Sequence, residues 1–167
     1  MEVYKPGVLF VCLGNICRSP TAQGVFEALL VRHGLRNQLR VDSCGIEGWH
    51  VGKAPDPRSI REAARHGIDI SGLRGRQLCA DDFATFDYIL AMDRANLADM
   101  ESLCPSSFDG QLSLFMDFAT DTDVYEVPDP YHEQGAAFGR VISLVEAASE
   151  GLLQELLRAR RIAYASA

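Results

Sequence analysis

The segment that most constrains the fold is a short apolar run that ends in a compact loop. Val8–Cys12 reads VLFVC, which is typical of a strand buried in a parallel sheet. Ser19 and Pro20 then open a helix, with Ser19 predicted as its cap and Pro20 in its first turn. The loop between strand and helix must therefore turn tightly.

Strands and helices alternate along the rest of the chain, and no linker or repeat divides it. Strands are predicted at 39–46, 88–92 and 112–115, and helices at 57–66, from Asp93 onward, and at 135–161, the last bent or interrupted at Gly151. This alternation implies an α/β sandwich with a mainly parallel sheet. We expect residues 1–167 to form a single domain.

The loop after the first strand has the residues of an anion-binding cradle. Gly14 and Asn15 tolerate the left-handed backbone angles that let successive N–H groups converge on one point. Arg18 offers a planar fork of donors for two phosphate oxygens. The same positive field favours a thiolate at Cys12, to which the Ser19 hydroxyl can donate.

A structural interpretation of this loop competes with the chemical one. A strand that ends in a buried cysteine before an ordinary capped helix needs no function, and the spacing from Cys12 to Arg18 alone is weak evidence. Its position between strand and helix, with Gly14, Asn15 and Ser19 present, favours phosphate binding. The glycine-rich nucleotide motifs are absent from the sequence.

Charge and cysteine content limit the remaining functions. The net charge of −7 argues against nucleic acid as a partner. Five cysteines without paired spacing argue against a disulfide framework and for the reducing cytosol. Residues 1–7 show no signal-peptide pattern, and no apolar run is long enough to span a membrane. We expect a cytoplasmic monomer.

Three separated segments give the sequence a family resemblance. Cys12–Pro20 resembles the signature loop of the low-molecular-weight protein tyrosine phosphatases, Ala91–Leu97 resembles their third strand and following helix, and Val127–Tyr131 (VPDPY) resembles their acid loop. The resemblance covers nearly the whole chain. It implies a three-layer sandwich, with a four-stranded parallel sheet and helices on both faces.

The resemblance also implies roles for individual residues. Cys12 is the expected nucleophile, Arg18 the phosphate ligand and Asp129 the general acid. Asn15 and Ser19 support the loop. The backbone amides of Leu13, Gly14, Asn15, Ile16, Cys17 and Arg18 bind phosphate. The expected substrates are proteins containing phosphotyrosine, and no metal or cofactor is expected.

One segment departs from the family pattern. Many relatives have a histidine after the serine at position 71 that supports the signature loop, but here Gly72 follows Ser71. We expect Ser71 to support the loop directly.

Four residues are candidates for the rim of the site: Trp49, His50, Tyr131 and His132. The resemblance implies that Trp49 and Tyr131 line a slot for a phenyl ring. Packing in a partly buried position is an equally good interpretation of Trp49.

The sequence predicts different roles for Cys17 and for the three remaining cysteines other than Cys12. Cys17 is either a resolving thiol for Cys12, the interpretation that we favour, or a small residue packed behind the loop. Cys44, Cys79 and Cys104 are predicted to lie in the core.

Asp129 lies between Pro128 and Pro130, which restrict the backbone on both sides. An acidic turn is the simpler interpretation, but a leaving oxygen needs a proton and a fixed carboxyl group can supply it. With Cys12 and Arg18 present, we favour the acid.

Two functions other than phosphatase use the same residue types. Arsenate reduction needs a relay of closely spaced cysteines, which Cys79 and Cys104 do not suggest. A phosphotyrosine-binding module without turnover would typically have lost Cys12, Arg18 or Asp129, and all three are present.

Overall fold

The computed structural model describes residues 4–166, and its core is one parallel sheet. The strands are β1 (Gly7–Cys12), β2 (Arg40–Gly45), β3 (Tyr88–Ala91) and β4 (Gln111–Leu114), in the spatial order β2-β1-β3-β4. The predicted four-stranded parallel sheet is confirmed. Residues 1–3 of the segment in which no signal peptide was expected lie outside the described residues.

Five α-helices connect and cover these strands. They are α1 (Arg18–Arg32), α2 (Pro57–Arg65), α3 (Asp82–Thr85), α4 (Arg94–Leu103) and α5 (Gly135–Arg158), and short 3₁₀ turns occupy Arg36–Gln38 and Phe115–Phe118. Across residues 4–166, no helix combines the length and apolar character needed to cross a bilayer.

Side chains from the two faces of β1 pack into two hydrophobic cores, one on each side of the sheet. The sheet and the helices on its two sides form the three layers of the fold. Val8 and Phe10 point into a core shared with α1 and α5. Leu9 and Val11 point to the opposite face, into a core that contains Phe83 from α3 and Met100 from α4. Because successive side chains of a strand alternate between faces, burial on both faces explains the uninterrupted apolar run.

Two local predictions need correction, and one short helix was missed. Ser19 does not cap α1, because the helix already begins at Arg18 and the Ser19 hydroxyl faces the Cys12 sulfur instead. The short α3 was not predicted. Gly151 does not interrupt α5, where an added Cβ would lie 1.6 Å from the Phe118 carbonyl oxygen. The glycine therefore permits close packing rather than a bend.

The strand order locates the site. From β1 the chain moves to β2 on one side and then returns to β3 on the other. Such a reversal opens a crevice at the carboxyl ends of the central strands, where α/β proteins bind ligands. Cys12, the last residue of β1, lies at this crevice.

Candidate active site

Cys12 is almost completely buried at the start of the cradle loop (residues 12–19). Its Sγ lies 3.0 Å from the Ser19 Oγ, and the Asn15 backbone N–H donates to it over 3.3 Å. Donors directed at a sulfur atom stabilise its thiolate form. The loop is therefore built to hold a reactive cysteine.

Asn15 fixes the shape of the cradle loop. Its φ of 59° lies in the left-handed region, as its residue type allowed. The side-chain amide donates to the hydroxyls of Ser19 (2.7 Å) and Ser43 (3.1 Å), and its oxygen accepts from the Arg76 backbone N–H over 3.0 Å. This buried side chain thus joins the loop to β2 and to the segment before α3.

The prediction that Ser71 supports the loop is wrong. Ser71 is exposed, and its hydroxyl donates to the Asp69 carboxylate over 2.6 Å within a surface turn. Gly72 beside it is also exposed, with open space where a side chain would begin. The supporting hydroxyl comes from Ser43 instead, which donates in turn to the Gln23 side chain over 2.7 Å.

Arg18 is buried and oriented by groups from two other segments. Its Nη1 donates to the carboxylate of Asp93, the N-cap residue of α4, and to the Val127 carbonyl at 3.0 Å. Burial alone would lower the pKa of Arg18, but Cys12, Asp93 and Asp129 raise it above its ordinary value. The guanidinium is therefore charged and pre-oriented before any ligand binds.

Asp129 lies in the acid loop (residues 127–133), opposite the cradle. Its carboxylate is 3.8 Å from the Arg18 Nη2, and its side chain is 43% exposed. It also accepts from the Tyr131 backbone N–H over 3.1 Å. The Val127 N–H donates to the Met92 carbonyl at 2.8 Å, which ties the start of the acid loop to the end of β3.

A pocket of about 330 Å³ joins the cradle loop to the acid loop. The residues that line it are Cys12, Leu13, Gly14, Ile16, Cys17, Arg18, Trp49, His50, Asp129, Tyr131 and His132. The structure thus brings all four predicted rim residues to one cavity. Trp49 is 61% exposed, which favours a place on the rim over a packing role.

The other cysteines differ in their surroundings, and all five are free thiols. Burial raises the pKa of the Cys17 thiol to about 12, although the residue also lines the pocket. Cys44 is buried and Cys104 is partly buried, which agrees with the predicted core position for Cys44 and partly for Cys104. Cys79 is exposed, so its predicted place in the core is wrong. It lies in the irregular segment before α3, and its backbone N–H donates to the Asp82 carboxylate.

Sequence reasoning missed several residues that complete the site. Ser43 and Asp93 are polar residues in or directly after buried strands, a signal that could have marked them. The contacts of the Arg76 N–H and the Val127 carbonyl involve backbone groups, which do not depend on residue type. Their contribution could be found only from the structure.

Comparison with known proteins identifies the family. A family model described as low molecular weight phosphotyrosine protein phosphatase matches residues 7–162. This chain belongs to that family. It is a phosphotyrosine protein phosphatase that hydrolyses phosphate monoesters through a phosphocysteine intermediate.

Individual relatives match this phosphatase over most of its length. The Bacillus subtilis low molecular weight protein-tyrosine-phosphatase YfkJ is 37% identical over 155 residues, covering 93% of this chain and 98% of the relative. Low molecular weight phosphotyrosine protein phosphatase 2 of Drosophila melanogaster is 42% identical, with 80% of each chain covered. A crystal structure of a protein tyrosine phosphatase from Entamoeba histolytica superposes with a TM-score of 0.89 at 36% identity, covering 93% of this chain and 99% of that one.

Proposed function

We propose that Cys12 is the nucleophile of this phosphatase. The observation that carries the proposal is its place in the cradle loop, with the Ser19 hydroxyl at 3.0 Å and the Asn15 N–H at 3.3 Å from the sulfur. The thiolate attacks phosphorus, the bond to the leaving oxygen breaks, and the phosphoryl group is held on Cys12. Ser19 stabilises the sulfur again when it leaves in the second step.

Arg18 and the loop amides bind the phosphoryl group. The support is the pre-orientation of Arg18 by Asp93 and Val127, which lowers the entropy lost when its fork binds two oxygens. The backbone N–H groups of residues 13–18 and the start of α1 add fixed positive potential. This arrangement stabilises the charge of the transferring group without a metal ion.

Asp129 transfers the protons. The supporting observation is that Asp129 lines the same pocket as Cys12, with its carboxylate 3.8 Å from the Arg18 Nη2. Asp129 gives its proton to the leaving oxygen in the first step. In the second step it takes a proton from the water that attacks the phosphocysteine, which releases inorganic phosphate.

The rim selects phosphotyrosine in proteins. Trp49 and Tyr131 are both exposed and line the pocket with His50 and His132, so a phenyl ring can lie between aromatic surfaces. Because Trp49 and Tyr131 are exposed, a phosphorylated residue that is part of a polypeptide can reach the pocket.

Hydrolysis of p-nitrophenyl phosphate and of a phosphotyrosine peptide tests this function directly. We expect turnover of both, unchanged after treatment with EDTA. Stoichiometric phosphopeptide binding without release of phosphate, or activity that is lost on chelation and restored by a divalent ion, contradicts the proposal. A thioredoxin-coupled arsenate assay tests the reductase alternative.

We propose further that the enzyme is a cytoplasmic, single-domain monomer with reversible redox control. Five free thiols suit a reducing compartment. Peroxide oxidises the Cys12 thiolate to a sulfenic acid, and the Cys17 thiol then displaces water to form a Cys12–Cys17 disulfide. The supporting observation is that both residues line the same pocket.

A further inference from the structure

Arg58, the second residue of α2, binds two separate parts of the site with one guanidinium group. Its Nε and Nη2 donate to the two carboxylate oxygens of Asp56, over 3.1 Å and 2.9 Å. Nη2 also donates to the Tyr131 carbonyl at 2.9 Å, and Nη1 donates to the Glu133 carbonyl at 3.3 Å. A planar fork with several N–H groups can make such contacts at once, whereas an ammonium group cannot.

The Asp56 side of this bridge is fixed to the cradle loop. The Asp56 backbone N–H donates to the Ile16 carbonyl over 2.8 Å. The Asp56 carboxylate caps α2 by accepting from the Arg58 backbone N–H over 2.8 Å, and its side chain is 8% exposed. Hydrogen bonds from the Arg58 side chain lower the pKa of Asp56, so the carboxylate is charged at neutral pH.

Aromatic rings hold the guanidinium in place between α2 and α5. Its central carbon lies 4.6 Å from the ring centre of Phe138, a buried residue in the first turns of α5, and 5.8 Å from that of Tyr131. Both distances are within the range of cation–π attraction. The Arg58 side chain is therefore positioned by packing as well as by hydrogen bonds.

The acid loop has few other polar attachments after Val127. Among the described residues, those of segment 128–133 bond to one another, to Arg18 through Asp129, and to Arg58. We expect the contact with Arg18 to weaken during the reaction. The Arg18 Nη2 that faces Asp129 donates to the phosphoryl group once it is bound, and Asp129 loses its charge when it carries the proton to be transferred. Arg58 remains as the attachment at that stage.

We propose that Arg58 is a positioning residue for the acid loop, holding Asp129 and Tyr131 at a fixed distance from the cradle through the Asp56 carboxylate and the Tyr131 and Glu133 carbonyls. Arg58 is not among the residues that line the pocket. The inference rests on the proposed role of Asp129 as general acid. A loop released from Arg58 leaves the cradle intact but moves the proton donor away from the leaving oxygen.

The test compares Arg58→Ala and Arg58→Lys with the parent enzyme over aryl phosphates that differ in leaving-group pKa. In Arg58→Ala we expect kcat/KM to fall about tenfold for phenyl phosphate but only about threefold for p-nitrophenyl phosphate, because a good leaving group needs less protonation. Arg58→Lys, which keeps the charge but not the fork, should lie between Arg58→Ala and the parent. The inhibition constant of inorganic phosphate should stay within about twofold of the parent value, because the cradle is preserved.

Two controls make the result decisive. Arg65→Ala removes an arginine of the same helix whose one ion pair within residues 4–166 is with Glu62. Its kcat/KM values should match those of the parent for every leaving group. In an Asp129→Ala background, Arg58→Ala should cause no further change in leaving-group dependence. Equal losses for all leaving groups, weakened phosphate inhibition, or parent values in Arg58→Ala overturn the inference. If Asp129→Ala itself leaves the leaving-group dependence unchanged, the proposed role of Asp129 as general acid is wrong, independently of Arg58.

Discussion

The cradle loop and the acid loop face each other across one pocket but are held in different ways. Cys12, Asn15, Arg18 and Ser19 are each at most 3% exposed, and hydrogen bonds attach the cradle loop to β2, to the N-cap of α4 and to the segment before α3. In the acid loop, by contrast, the Asp129 side chain is 43% exposed and Tyr131 is 41% exposed.

The difference suggests a division between binding and protonation. A cradle fixed by buried partners loses little entropy when phosphate arrives, and its donors need no rearrangement during reaction. The acid loop must admit a ring and later a water molecule, so an exposed loop with a few attachments suits it. Changes in the cradle should therefore affect every substrate, and changes in the acid loop should affect substrates unequally.

The largest effect is expected from Cys12→Ser. Loss of the nucleophile should lower kcat by about 10⁴–10⁶-fold, whereas phosphate binding should persist because Arg18 and the backbone amides remain. Steady-state kinetics and phosphate titration measure the two quantities. A variant that keeps a substantial part of the parent kcat would show that another group attacks phosphorus.

Asp129→Ala should have the next largest effect, and an unequal one. For phenyl phosphate we expect kcat/KM to fall by about 10²–10⁴-fold, the range for loss of a general acid. The loss should be much smaller for p-nitrophenyl phosphate. Equal losses for both substrates would mean that Asp129 contributes to phosphate binding rather than to protonation of the leaving group. The proposed contrast between the two loops would then be wrong.

Asn15→Ala tests how the cradle is held. The substitution leaves the Arg76 N–H without its partner and puts alanine at a φ of 59°, so stability should fall by about 2–4 kcal/mol. We expect kcat/KM to fall about 10–100-fold for all leaving groups, because the donors are misplaced.

The matched control for Asn15→Ala is Ser71→Ala. Because Ser71 contacts only its own surface turn, its removal should change stability by no more than about 0.5 kcal/mol. Chemical denaturation measures both variants. A loss of stability in Ser71→Ala as large as that in Asn15→Ala would indicate that Ser71 supports the cradle loop. That result would contradict the hydrogen-bond network described for Asn15 and Ser43.

The smallest effect on basal activity is expected from Cys17→Ser. Since the pKa of Cys17 is about 12, the residue is a protonated thiol at neutral pH, and iodoacetamide should label Cys12 in preference to it. After peroxide, the parent should recover activity with a dithiol more completely than Cys17→Ser. Equal recovery, with no peptide linking Cys12 to Cys17 in mass spectra, would contradict redox control.

The two loops also differ in how far the sequence predicts them. The cradle is local: strand, tight loop and helix start within Cys12–Ser19, so residue types and spacing were enough to indicate anion binding. Asp129 is far from the cradle in sequence, and Asp-Pro turns are common, so only the resemblance made it the candidate acid. Side chains that support the cradle through contacts distant in sequence, such as Ser43, were missed. The choice of Ser71 was wrong because its hydroxyl lies in a surface turn and bonds to Asp69.

The central claim is that Cys12 carries the phosphoryl group, and rapid acid quench of the enzyme during turnover tests it most directly. The Asp129→Ala variant with p-nitrophenyl phosphate is the suitable enzyme, because loss of the base slows release of the intermediate more than formation from a good leaving group. Mass spectrometry of the digested protein should find one phosphoryl group on the peptide containing Cys12, at its sulfur. Phosphorylation of another residue, or turnover with no phosphorylated enzyme at any quench time, would contradict the account.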